Sequence, residues 1–119
     1  MNSPHRIGRR SDFQRTLSQG VRTRTRDLDV HTLTPATAWP DRSRTDVALS
    51  GGPWLGMIVS KQVGNSVVRH RLARRLRAAF RAAVLPGGAE AYVVVRARPS
   101  AARRSADELA AQLSKAVAP

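Results

Sequence analysis

Residues 60–84, SKQVGNSVVRHRLARRLRAAFRAAV, carry the reading on which the fold turns. Val68, Leu72, Leu76, Ala79, Phe80 and Ala83 recur at three- and four-residue intervals, which predicts a helix over Val67 to Val84 with one apolar stripe. Pro86-Gly87-Gly88 ends it, because proline cannot continue the backbone hydrogen-bond ladder. Ahead of the helix, Lys61 to Asn65 reads as a turn. Ahead of that turn, Trp54 to Ser60 is apolar and contains Met57-Ile58-Val59, the composition of a buried strand. Beyond the helix, Ala91 to Ala97 holds Tyr92-Val93-Val94-Val95 and reads as another buried strand.

Working outward, Ser11 to Gln19 reads as a short helix, with Ser11 as N-cap, Asp12 at the positive end, Phe13 and Leu17 one turn apart, and Gly20 as the stop. Alternation begins at Arg22, and Leu28 and Val30 on one face place a strand at about Arg26 to Leu33. Residues 34–53 are rich in proline, glycine, serine and charge and read as a flexible connection, with a short extension at Val47 to Leu49. Residues 1–6 read as a flexible end. Ser105 to Val117 reads as a final amphipathic helix, with Ser105 as cap, Asp107 and Glu108 in the first turn, and Leu109, Leu113 and Val117 facing inward. At 119 residues the chain holds one domain, and the element order αβββαβα is that of an α+β sandwich with helices packed on a small sheet.

Lysine and arginine total 21 against 8 aspartates and glutamates, a net charge of +13. Such a surplus repels itself unless a polyanion is near. The only lysines are Lys61 and Lys115, and arginine's planar fork suits bidentate phosphate contacts. The absence of cysteine excludes disulfides, thiolate metal sites and a thiol nucleophile. No apolar run approaches the roughly 18 residues of a membrane span, so a cytoplasmic address is expected and no membrane partner.

Between Asp46 and Glu90 there is no acidic residue, yet Lys61, Arg69, Arg71, Arg74, Arg75, Arg77 and Arg81 all fall there. On a helix His70, Arg74, Arg77 and Arg81 form one stripe, with Arg71 and Arg75 on a neighbouring row. Each like-charge pair at such spacing costs a helix about 0.2–0.5 kcal/mol, and Arg69 in the first turn opposes the helix dipole. An anion reverses both penalties. Gly64-Asn65-Ser66 also forms a glycine turn into a capped helix, whose free N–H groups suit a phosphate. The competing readings are a solvated charged face, although such faces usually mix signs, and a membrane-surface helix, although the apolar stripe is needed for the core.

The stretch Ser60 to Phe80 resembles the signature of the protein subunit of bacterial ribonuclease P, in which a strand ends in Ser-Lys, a glycine turn follows, and a helix opens with alternating basic residues. Arg6 to Gly20, with Asp12-Phe13-Gln14-Arg15, resembles that family's opening helix, and Arg26 to Leu33 its next strand. The resemblance implies a two-layer sandwich like the ribosomal protein S5 domain 2-like fold, with a left-handed βαβ crossover. It implies an enzyme as part of the ribonuclease P holoenzyme, a tRNA 5′ endoribonuclease, in which this chain assists a catalytic RNA in removing the 5′ leader of precursor tRNA and the catalytic centre lies in the RNA. Lys61, Gly64, Asn65, Ser66, Arg69, His70, Arg71, Arg74 and Arg77 then take the positions that contact the catalytic RNA. Phe13, Leu17, Arg26 and His31 take those that line the leader cleft. Partners would be ribonuclease P RNA and precursor tRNA, with a monomer in a 1:1 complex. His70 stands where the family has asparagine, Leu17 and His31 where aromatics are common, and Ala73 where a basic residue is common.

His5, His31 and His70 lie far apart and lack ligand spacing, so no metal site of side chains is expected, and magnesium would be held by RNA oxygens and water. Asp27 and Asp29 fit a divalent-ion pair of a stand-alone nuclease, but such spacing is more often a solvated strand edge. Gly51-Gly52 and Gly87-Gly88 lack the lysine and hydroxyl of a phosphate-binding loop and read as turns. Phe13 reads equally as core or as a leader contact. A ribosomal or nucleoid protein needs the same basic helix without a leader cleft, and the sequence leaves that alternative open.

Overall fold

The computed structural model describes residues 6–34, 53–87 and 91–117. Three helices, α1 (Arg10–Gln19), α2 (Ser66–Ala83) and α3 (Ala106–Val117), accompany four strands, β1 (Val21–Arg24), β2 (Leu28–Leu33), β3 (Trp54–Ile58) and β4 (Tyr92–Ala97). The sheet order is β1-β2-β4-β3. β1 with β2 and β2 with β4 run antiparallel, whereas β3 and β4 run parallel and are joined through α2.

Side chains alternate across the sheet, so each face has its own apolar cluster. Leu28, Val30, Leu55, Val93 and Val95 point to one face and pack under α2 and α3, through Leu72, Leu76 and Phe80 and through Leu109 and Leu113. Leu33, Tyr92 and Val94 point to the other face, where Ile7 and the Phe13 and Leu17 side chains of α1 pack on them. The α2–α3 layer therefore completes the sandwich, and α1 forms an incomplete third layer. Gly56 in β3 permits this: a Cβ there would lie 2.6 Å from the Phe13 ring.

Three local expectations are corrected or refined. Ser11 is not the cap of α1, because the helix begins at Arg10 behind Arg9 and makes no side-chain capping bond. The strand expected at 26–33 is β2, which begins at Leu28, and it is the second arm of a hairpin that was not expected: β1 occupies Val21–Arg24, and Thr25 to Asp27 turn the chain into β2. Arg6, expected in a flexible end, bridges Leu55 alongside β3, and the Ile7 N–H donates to the Leu55 carbonyl at 2.9 Å. Val47 to Leu49 lie outside the described residues.

α3 opens with a reciprocal box. The Glu108 N–H donates to Ser105 Oγ at 3.1 Å and the Ser105 N–H to Glu108 Oε1 at 3.0 Å, which holds the Glu108 carboxyl below its ordinary range. Among the described residues no helix is long and apolar enough to cross a membrane.

Candidate nucleic-acid interface

The basic helix is launched by a turn whose geometry only glycine accepts. Gly64 has φ 155° and ψ −167°, and a Cβ there would lie 3.0 Å from the Val68 side chain. Asn65 follows as N-cap, its Oδ1 accepting the Val68 N–H at 3.0 Å. Gly64→Ala is expected to cost about 1–3 kcal/mol by strain. Asn65→Ala should cost about 1 kcal/mol through the lost cap. Urea unfolding of the two variants checks both values and their order.

Beyond the cap, the apolar stripe sinks Leu72, Leu76, Ala79 and Phe80 into the core. That placement turns His70, Arg71, Arg74, Arg77 and Arg81 outward, and all five are exposed. None of them forms an ion pair among the described residues. Lys61 is exposed in the 3-10 turn Lys61–Val63 just ahead, and Ser66 is the exposed first residue of α2. Arg69 is half-buried, its Nε shielded and without a hydrogen-bond partner among the described residues, and it lines a shallow hollow with Ser66 and His70. Arg75 is turned aside: its Nη1 donates to the Ala102 and Arg104 carbonyls at 2.9 and 3.3 Å, which ties α2 to the segment before α3.

The residues assigned to the leader cleft do not all meet. Phe13 and Leu17 are half-buried on the α1 face of the sheet. His31 projects from β2 to that same face, paired across the strands with Val94 and Arg22. Burial, and then the nearby Arg22 and Arg96 charges, hold the His31 imidazole below its ordinary pKa, against the opposing pull of Asp29. Arg22 and Arg96 were missed as site residues. Their signal was the period-two placement of arginine in strands, which puts each on the face of His31. Arg26 sits elsewhere, in the β1–β2 turn facing α3, where it lines a hollow with Arg104, Glu108 and Lys115.

Asp27 and Asp29 are engaged by different arginines. Asp29 Oδ1 accepts from Arg98 at 2.9 Å and pairs with Arg22 at 3.4 Å. Asp27 Oδ2 accepts from Arg104 Nε at 2.9 Å and from Gln112 Nε2 at 2.7 Å. The carboxylates thus serve the hairpin's attachment to its neighbours. Among the described residues no group of three or more His, Cys, Asp or Glu stands together to hold a metal ion.

A capped helix carrying five outward basic side chains, none of them ion-paired among the described residues, on an α+β scaffold, gives the charge pattern of the small basic nucleic-acid-binding proteins. The family model for ribonuclease P matches residues 1–119, and the chain belongs to the ribonuclease P protein family. It is 45% identical over 113 residues to the ribonuclease P protein component of Rhodococcus jostii, covering 92% of this chain and 83% of that one. It is 37% identical over 115 residues to that of Corynebacterium diphtheriae, covering 97% and 92%. Its fold is similar to the RNase P protein of Staphylococcus aureus, with TM-score 0.71, 23% identity and coverage of 97% and 94%. The RNase P protein of Thermotoga maritima gives TM-score 0.66 and 19% identity, with 92% of each chain covered.

Proposed function

We propose that this chain is the protein subunit of a ribonuclease P, docking through α2 on the catalytic RNA and assisting removal of the 5′ leader from precursor tRNA. The carrying observation is the row of outward basic side chains on α2, entered through Gly64 and Asn65 and left without carboxylate partners among the described residues. Lys61, Ser66, Arg69, His70, Arg71, Arg74 and Arg77 contact phosphates in this reading, while Gly64 and Asn65 shape the turn. Arg69 lines a hollow with Ser66 and His70 that a phosphate enters in this reading. Chemistry resides in the RNA, with magnesium held by RNA oxygens and water.

The single-stranded leader lies along the open part of the α1 face, past Phe13, Leu17 and His31, with Arg22 and Arg96 beside the histidine. Base stacking there contributes about 1–3 kcal/mol per base, and of these three side chains only Phe13 and His31 offer a π-face. A phosphate at this patch favours the imidazolium, so binding takes up a proton. Leader affinity is therefore expected to rise as pH falls from 8 through the His31 pKa. Proton NMR titration should place that pKa below 6.5 in the free chain and raise it when leader oligonucleotide is bound. His31→Gln should flatten the pH dependence, and an unchanged profile would remove His31 from the cleft.

The test of the whole reading is reconstitution. The purified chain is added to a ribonuclease P RNA at low magnesium, and release of the precursor tRNA leader is followed. Stimulation is expected. No stimulation, or cleavage by the chain without RNA, would overturn it.

A further inference from the structure

A hollow between the β1–β2 turn and α3 lies apart from both surfaces described above, and no residue of α2 lines it. Its α3 wall is the row Glu108, Ala111, Gln112 and Lys115, spaced for one helix face, and its opposite wall is the run Thr23 to Asp27, which includes Arg24 and Arg26. The floor is closed by internal bonds. Thr25 Oγ1 and the Asp27 N–H both donate to Gln112 Oε1, at 2.7 and 2.9 Å. The two acids in the hollow are already engaged. Asp27 accepts from Arg104 and Gln112, and Glu108 accepts from the Ser105 N–H with Arg104 Nη1 at 3.7 Å.

Three cations remain. Arg24, Arg26 and Lys115 form no ion pair among the described residues, and all three are exposed. The dipole of α3 accounts for a lysine in its last turn, but it does not account for two arginines brought to the same hollow from a distant hairpin. Apart from Ala111 each lining residue carries a polar or charged group, and such groups can engage a phosphate backbone.

We propose that this hollow is a second phosphate-backbone site, which takes a stretch of RNA different from the one on α2, so that the chain bridges two RNA segments. The inference rests on the reading of the chain as an RNA-docking subunit. Arg26 belongs to this site, which is why it stands apart from Phe13, Leu17 and His31.

The chain has no cysteine, so a single one can carry a tethered iron–EDTA probe. Two versions are compared in the complex with ribonuclease P RNA, Ala111→Cys in the hollow and Val67→Cys on the exposed start of α2. Both are expected to cut the RNA, at separate nucleotides. Adding Arg24→Ala, Arg26→Ala and Lys115→Ala should abolish the Ala111-directed cuts and leave the Val67-directed ones. In the cysteine-free chain the same three replacements should lower the salt dependence of binding by about 2–3 log units per log unit of salt, at roughly 0.7–0.9 for each lost phosphate contact. Because the three side chains are exposed and form no ion pair among the described residues, the melting temperature should fall only slightly, mainly through the loss of the Lys115 charge in the last turn of α3. Cuts from Val67 but none from Ala111 would overturn the second site, as would a salt slope indifferent to the three replacements. Cuts from neither position would overturn the RNA reading itself and this site with it. Capture of phosphatidylglycerol vesicles through these residues, without Ala111-directed cuts, would reassign the hollow to a membrane surface.

Discussion

Replacing Arg74 and Arg77 together with alanine is expected to weaken binding to ribonuclease P RNA on the order of 100-fold near 0.1 M salt, from two charge-assisted hydrogen bonds at about 1.5 kcal/mol each. The dependence of log affinity on log salt should fall by about 1.4–1.8, since each neutralised phosphate contributes roughly 0.7–0.9. Both side chains point to solvent from the middle of α2 and pair with no carboxylate among the described residues. Their loss leaves the core stripe untouched. It also removes like-charge pairs at three- and four-residue spacing, Arg71 with Arg74, Arg74 with Arg77 and Arg77 with Arg81, each worth about 0.2–0.5 kcal/mol of repulsion. The double variant should therefore unfold at the same or a slightly higher urea concentration while binding far more weakly. Filter binding across a salt series, with urea unfolding on the same samples, separates these quantities. A solvated face with no partner gives the stability gain without the affinity loss. Arg75→Ala is the contrasting case: its guanidinium holds the Ala102 and Arg104 carbonyls, so it should lower stability more than it lowers affinity.

The same contrast explains what the sequence made legible. α2 and β4 were readable because their burial follows directly from local period, 3.6 in one and a continuous apolar run in the other, and because Gly64-Asn65 and Pro86 mark the ends of α2. β1 was not readable. Val21-Arg22-Thr23-Arg24 is largely exposed, so it has no apolar face to betray it, and it is a strand because its backbone pairs with β2. Ser11 has the right chemistry for a cap, but α1 had already begun one residue earlier. Arg26 and His31 looked equivalent as neighbours of one strand, whereas the hairpin turn sends Arg26 toward α3 and leaves His31 on the α1 face. Arg75 and Arg74 are adjacent in sequence, and only the approach of residues 102–104 makes one an internal tie and leaves the other for a partner. Period identifies which residues are outside or inside. It says nothing about a guanidinium whose acceptors lie 27 or 29 residues away.

Asp27 is the strongest instance of such a distant role, and its removal should produce a large loss of stability. The carboxylate is almost fully buried, at 1% exposure, and joins the β1–β2 turn to α3 by accepting from Arg104 and Gln112. Its N–H donates to Gln112 and its carbonyl accepts from the Arg98 N–H at 3.0 Å, so the turn is held through backbone and side chain together. Breaking a buried ion pair by removing one partner costs about 3–5 kcal/mol, because the other charge is left uncompensated. Arg104 is 22% exposed and regains some water, which places Asp27→Ala toward the lower end. About 3 kcal/mol is still a large part of the roughly 5–15 kcal/mol that holds a domain of this size. The pH dependence gives a second, independent check. Burial opposes ionisation of Asp27, but hydrogen bonds from Ser100, Gln112 and Arg104 and the Arg104 charge outweigh it, so the folded carboxyl titrates below its ordinary value of 3.8. A depressed folded pKa contributes stability that is fully present above the unfolded value and is lost as pH falls through the folded one. The gap between the parent chain and Asp27→Ala should accordingly be constant from pH 7 to pH 5 and shrink below 3.8. Urea unfolding at pH 7, 5 and 3 measures it. A gap that is small at pH 7, or that does not narrow in acid, would mean that the turn is held to α3 by Gln112 and the backbone rather than by the charge of Asp27.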